Sequence, residues 1–136
     1  MLKDAPNIIL ITQHDLGRQL RCYDPDLPPT PNIDRVFETG AIFRKHFGTC
    51  PLCSPSRSSI LTGRYPHSNG MNGLTHRGFR LAEDEVPAPR LFSRLGYRTA
   101  LYGMQHEAAP HEVGRLGYAE TWSPPGHSAR CGGVAL

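Results

Sequence analysis

The sequence predicts an α/β protein built on a mostly parallel sheet covered by helices. Two observations carry that expectation. Residues 7–12, Asn-Ile-Ile-Leu-Ile-Thr, form a continuous β-branched apolar run that stops abruptly at Gln13-His14-Asp15-Leu16-Gly17. A run without polar alternation reads as a strand buried on both faces, and polar residues at its carboxyl end sit where open α/β sheets place their sites. Strand-like and helix-like segments then follow in the order β, α, β, α, α, β, with no internal repeat.

The elements follow in order. The prolines of Asp24-Pro25-Asp26-Leu27-Pro28-Pro29 make that stretch a loop. Thr30-Pro31 opens a helix, with Thr30 as N-cap and Pro31 in the first turn. Ile33, Val36 and Phe37 share one face of it, and Gly40 ends it. Residues 41–47 are expected as a strand and 55–61 as a short helix stopped near Gly63. The stretch 65–78, dense in Gly, Asn and His, is expected as a loop. Leu91, Phe92 and Leu95 mark a helix over 90–95 that Gly96 closes, and 98–103 is a further strand. The tail 123–136 has Pro124-Pro125-Gly126, Gly132-Gly133 and no periodicity. An α/β domain rarely stops this way, so residues 1–136 read as part of a larger domain, with its motifs within 7–106.

Composition narrows the function classes. The chain has 136 residues, with 14 Gly and 13 Pro. Leu, Ile, Val and Phe together make only about a fifth of it, little material for a large core. The net charge is +3, and no Lys/Arg run tracks a phosphate backbone, which argues against nucleic acid as a partner. Asp4 and Pro6 interrupt the start where a signal peptide needs an apolar stretch, and the longest apolar run, 8–11, is too short to span a bilayer. A cytoplasmic location with no membrane partner is the resulting expectation. The four cysteines, Cys22, Cys50, Cys53 and Cys131, are too sparse for a disulfide scaffold and would stay reduced there.

The sharpest constellation is Cys53-Ser54-Pro55-Ser56-Arg57, running on to Leu61-Thr62-Gly63-Arg64. A thiol at a helix start meets free N–H groups and the positive end of the helix dipole, which lower its pKa and attract anions. Arg57 adds a planar cation suited to an oxyanion. An anion-handling nucleophile and a buried cysteine that merely packs at a helix start are both compatible with this pattern. Cys50-Pro51-Leu52-Cys53 has redox spacing, but no second pair follows at zinc-site spacing. His106-Glu107 with His111 imitates a zincin motif one residue too long, and Pro110 breaks the helix it needs. His67, His76 and His127 lie in polar loops; His76 could edge a cleft.

Cys-x-Pro-Ser-Arg followed by Leu-Thr-Gly-Arg resembles the signature of the formylglycine-dependent sulfatases, of the alkaline-phosphatase-like superfamily. Residues 7–17 resemble that family's first strand, which ends in a pair of metal-binding acids. Thr30-Pro31-Asn32-Ile33-Asp34-Arg35 resembles its first helix, and Gly96-Tyr97-Arg98-Thr99-Ala100 the segment that leads to its Lys-x-His pair. The chain is thus similar to the family's amino-terminal portion. The resemblance implies that Cys53 is oxidised to formylglycine by a formylglycine-generating enzyme. It implies catalytic roles for Cys53, Arg57 and His106, and a divalent metal, Ca²⁺ or alternatively Mg²⁺, held by Asp15, His14 and residue 53. It further implies that the hydrated aldehyde attacks sulfur and then expels sulfate.

Two departures stand out. His14-Asp15 replaces the usual acid pair, and Met104-Gln105-His106 replaces Lys-x-His, putting a thioether where the family has a cation. His-Asp and Gln-His loosely resemble the branch that includes heparan N-sulfatase. The expected substrate is a small-molecule or saccharide sulfate ester or sulfamate. The alternatives are a phosphonate or phosphate monoester hydrolase of the same superfamily, or a non-catalytic truncated chain.

Overall fold

The computed structural model describes residues 5–123. Two compact units result: Asn7–Phe47, and Met1–Pro6 together with Gly48–Leu136. The expected irregular tail lies outside the described residues apart from Ser123, as do Cys131 and His127.

In the first unit the one helix is α1, Pro31–Thr39. Proline at its first position fits because that N–H would have no intrahelical partner. Thr30 is the N-cap residue, as expected, but its side chain does not cap the helix. Instead Asp34 reaches back: the Thr30 N–H donates to Asp34 Oδ2 at 2.9 Å and the Thr30 hydroxyl to Oδ1 at 2.8 Å. A carboxylate in the first turn also meets the helix dipole favourably.

Residues 7–12 do not form the expected buried strand. They carry no strand assignment, and Ile8, Ile9, Leu10 and Ile11 are between 56% and 83% exposed. An extended run becomes a strand only when its N–H and C=O groups find a neighbouring chain, and none of the ladders among the described residues includes it. Residues 41–47 are likewise not a strand. A turn at Arg44-Lys45 interrupts them, leaving Phe43 and Phe47 exposed.

The second unit carries the core. Helix α2, Cys53–Thr62, begins two residues before the expected position. It does so because Pro55 occupies the third helical position, where a missing N–H still costs no intrahelical bond. The first such bond follows at once, from Ser56 N–H to Leu52 O at 3.0 Å. Gly63 ends the helix, its N–H donating to Ser59 O at 2.8 Å. The stretch expected as loop contains a one-turn helix, α3 (Pro66–Asn69), and a 3₁₀ turn at Thr75–Arg77. Helix α4 spans Ala88–Arg94. Strand β1, Ala100–Tyr102, confirms the last expected strand and pairs in parallel with β2, Glu120–Trp122, with Leu101 opposite Thr121. The crossover between them contains a 3₁₀ helix, Pro110–Leu116, in keeping with the long connection that parallel strands need. No helix among the described residues is long and apolar enough to cross a membrane.

Leu61, Met71, Leu81, Ala108 and Leu116 form the apolar cluster, with Tyr118 packed against it. At its side lies Asn69, fully buried. Its amide nitrogen reaches Ser58 Oγ at 3.1 Å, Thr62 Oγ1 at 3.0 Å and Arg64 O at 3.4 Å, while its Oδ1 accepts the Met71 N–H at 3.0 Å. Its own carbonyl accepts the Ala82 N–H at 2.9 Å. Gly70 follows with φ of +86°, and a Cβ there would lie 3.0 Å from the Ala82 nitrogen, so glycine meets both demands of that close pass. Nearby, Arg64 is paired with buried Glu85.

Two stability predictions follow from this packing. Asn69→Ala leaves buried hydroxyl and N–H groups without their partner and should cost about 2 kcal/mol, read as a lower urea midpoint. Asn69→Asp should cost more, because a carboxylate cannot donate to Ser58 and Thr62. Tyr118 supplies the second. Burial, with a smaller contribution from the Glu107 carboxylate, pushes its phenol up to about 12 from an ordinary value of 10.0. The folded chain therefore holds that proton more tightly than the unfolded chain does. Its contribution is complete below the ordinary value and is lost as the pH rises through the interval from there to about 12. The urea midpoint should fall across that interval, and Tyr118→Phe should flatten the fall.

Candidate active site

Helix α2 has two faces of different character. Ser54, Pro55, Ser58, Ser59 and Leu61 are buried. Cys53, Ser56, Arg57 and Ile60, spaced i, i+3, i+4 and i+7, face outward. The buried face is made largely of small side chains, and the hydroxyls of Ser58 and Ser59 are satisfied within the helix. Ser58 Oγ donates to Pro55 O at 2.7 Å, Ser59 Oγ to the same carbonyl at 3.1 Å, and Thr62 Oγ1 to Ser58 O at 2.8 Å. This lets α2 lie close to α3 without stranding polar atoms. Ser54 ties the start of the helix to the following loop by accepting the Thr75 N–H at 3.3 Å.

The outward face brings two of the sequence-derived site residues together. Cys53 and Arg57 are one turn apart on one side of the helix, both half-buried. Cys53 is a free thiol. It occupies the first helical position, and Leu52, the N-cap residue, offers no side-chain cap. The N–H groups of Cys53 and Ser54 thus belong to the turn that has no intrahelical acceptor, next to the positive end of the dipole. Packing at a helix start and anion handling remain compatible at this residue; the outward face with Arg57 favours the second. The 3₁₀ turn that carries exposed His76 is held against the same end of α2 by the Thr75–Ser54 bond.

His106 lies in the loop after β1, half-buried, and Met104 two residues earlier is 42% exposed. The loop is closed by Gln105. Its Oε1 accepts the N–H groups of Glu107 at 3.0 Å and Ala108 at 2.9 Å, and its Nε2 donates to Ala108 O at 2.9 Å. Glu107 is buried, and its Oε2 accepts the His106 N–H at 2.6 Å. Burial pushes the Glu107 carboxyl up, while the His106 N–H and the Arg57 cation pull it back down. Glu107 and Tyr118 are the residues that sequence reasoning missed. The signal available for Glu107 was a carboxylate adjacent to a candidate site histidine. Tyr118 had no signal at all.

His14 and Asp15 lie on the other unit. The chain turns there instead of extending, with Asp15 at φ of +57°, a left-handed conformation that aspartate tolerates better than most residues. Successive side chains of a strand point to opposite faces, but this turn brings His14 Nε2 to within 3.6 Å of Asp15 Oδ2. One hard oxygen donor and one imidazole nitrogen on a single exposed turn suit a divalent cation as part of a ligand set. Among the described residues no group of three or more such side chains converges.

The sulfatase family model matches residues 6–122. The chain is 38% identical to human arylsulfatase D over 113 residues, covering 75% of this chain and 19% of that protein. It is 39% identical to human steryl-sulfatase over 110 residues, covering 74% and 19%. It is 38% identical to an N-acetylglucosamine-6-O-sulfatase of Bacteroides thetaiotaomicron over 104 residues, covering 74% and 18%. The chain spans about a fifth of the length of these relatives. With the family model extending from before the His14-Asp15 turn to the end of β2, the chain belongs to the sulfatase family.

Proposed function

We propose that these residues contribute to a hydrolase for sulfuric esters or sulfamates that uses a formylglycine derived from Cys53 and a divalent metal, Ca²⁺ before Mg²⁺. The observation that carries this is the placement of Cys53 and Arg57 on one outward face at the amino end of α2. The modified residue would supply the nucleophilic hydroxyl, and the metal would supply charge neutralisation on the sulfuryl oxygens.

The chain's own residues do the rest. Arg57 receives the sulfuryl oxygens through its fixed fork of donors, and the first N–H groups of α2 add a second set aimed at the same charge. Met104 brings no charge where the family has a lysine, so the anion relies on Arg57 and the helix end. His106 contacts the nucleophile or the departing sulfate. Asp15 offers a hard carboxylate to the metal, with His14 beside it. Residues 1–136 would act as part of a catalytic domain. The substrate is a small molecule or saccharide carrying the sulfuryl group. The names of the relatives favour sulfur over phosphorus as the atom attacked.

Two measurements test this. Co-expressed with a formylglycine-generating enzyme, the chain should lose about 18 Da at residue 53, because a thiol becomes an aldehyde by two-electron oxidation and hydrolytic loss of sulfur. Peptide mass spectrometry with an aldehyde-reactive probe reads this, with Cys22, Cys50 and Cys131 as internal controls; an unmodified thiol at 53 would refute the assignment. For the metal, Ca²⁺ titrated into the chain should shift the NMR signals of Asp15 and His14 first. Asp15→Ala should remove that response, and a response unchanged in the variant takes Asp15 out of the site.

A further inference from the structure

The proposed chemistry uses Cys53 and leaves Cys50 without a part. Only Pro51 and Leu52 separate the two thiols, and both are free and half-buried. They belong to the same unit, whereas Cys22 lies in the other. Cys53 is the first residue of α2, and the chain bends at Pro51 and Leu52 just ahead of it. The stretch before that bend folds over the first turn of the helix. A Cβ placed on Gly48 would lie 3.6 Å from Ser56 Oγ and 3.7 Å from Cys50 O. Ser56 stands on the outward face with Cys53, one turn further on. Residues 48–56 thus form a closed hook, with Cys50 on one arm and Cys53 on the other. Pro51 fixes a backbone torsion between them, which reduces the freedom lost when they join. Pro51 and Leu52 are exposed, and the half-buried cysteines beside them stay open to a small reagent.

We propose that Cys50 and Cys53 close a reversible disulfide, with a low-molecular-weight disulfide as oxidant, and that the closed pair withholds residue 53 from conversion to the aldehyde. One cysteine gives up its proton and displaces a thiolate from the oxidant, forming a mixed disulfide. The other gives up its proton, attacks the protein sulfur of that bond and expels the second small thiolate. One S–S bond breaks in the oxidant and one forms between residues 50 and 53. The protein pair loses two electrons, the oxidant gains them, and the two protons end on the two released thiols. A sulfur already held in that bond is no longer the thiol that the oxidation to formylglycine starts from. The withholding role rests on the formylglycine reading given above; the disulfide itself does not.

The disulfide is tested on the full chain with glutathione as the probe. The chain is equilibrated at fixed total glutathione with a rising oxidised share, quenched with acid and alkylated. Trypsin cuts after Lys45 and Arg57, so one peptide, 46–57, carries both thiols. It should escape alkylation and appear about 2 Da below the dithiol, the mass of two hydrogens. Closure should need about tenfold less oxidised glutathione than the mixed disulfide at Cys22, because the second thiol comes from the same hook rather than from solution. In urea, where the hook is lost, the pair should close less readily. Glutathione held on residue 50 or 53 without ring closure, or closure as ready in urea as in the folded chain, overturns the proposal.

The withholding role has its own test. Wild type and Cys50→Ser are co-expressed with a formylglycine-generating enzyme in an oxidising compartment, and the aldehyde at 53 is read with a reactive probe. Cys50→Ser should raise the aldehyde fraction several-fold. An equal fraction in the two chains defeats the withholding role. If neither chain carries aldehyde in a reducing compartment either, the formylglycine reading fails instead, and the glutathione titration still decides the disulfide.

Discussion

The order of the second unit depends on a single amide. Asn69 lies at the end of a one-turn helix too short to stand alone, yet it reaches the side chains of Ser58 and Thr62, the backbone of Arg64 and the N–H of Met71. Each of those groups is on or near a segment that would otherwise need water. A short carboxamide with two donors and an acceptor is the residue type that can serve them together. The apolar cluster alone is small, five buried side chains and Tyr118, so this polar clamp carries a larger share of the specificity than it would in a bigger core. The same amide ties α3 to α2 through Ser58 and Thr62.

The packing of the inner face decides what α2 presents. Serine at 54, 58 and 59 is a weak choice for helix propensity, but its small volume lets the helix lie close to its neighbours; the hydroxyls of 58 and 59 bond back to the helix and that of 54 accepts the Thr75 N–H. With that face committed to packing, the i, i+3, i+4 period directs Cys53 and Arg57 to the opposite side. Positioning of Cys53 and of Arg57 is thus a consequence of how the inner face packs. The left-handed termination at Gly63 and the approach of Ala82 to Gly70 hold the far end of the helix in the same way.

The candidate residues of the two units, each taken by itself, lie in different electrostatic surroundings. His14 and Asp15 are held by a turn whose left-handed aspartate brings two donors to one side, and water screens them. In the second unit Glu107 is buried; burial raises its carboxyl, and its charge adds to the burial that raises the Tyr118 phenol. Surface pairs such as Arg98–Glu120 at the edge of the parallel strands are, by contrast, worth little to stability.

Local chemistry determined much of this protein from the sequence alone. Thr30-Pro31 opens α1 and Gly63 closes α2, because the constraints that proline and glycine place on the backbone act over a few residues. The pentapeptide from Cys53 to Arg57 indicated the family for the same reason: one helical turn suffices to align its parts. The tertiary structure decided what needs a distant partner. Residues 7–12 have every local property of a buried strand, but a strand is completed by its neighbour, and the described residues form no ladder there. Strand β2, three exposed residues without alternation, exists because β1 pairs with it. The hydrogen bonds from Asn69 to Ser58 and from Thr75 to Ser54 span 11 and 21 positions of the chain. Only the folded backbone brings such groups close enough for hydrogen bonds and Coulomb forces to act.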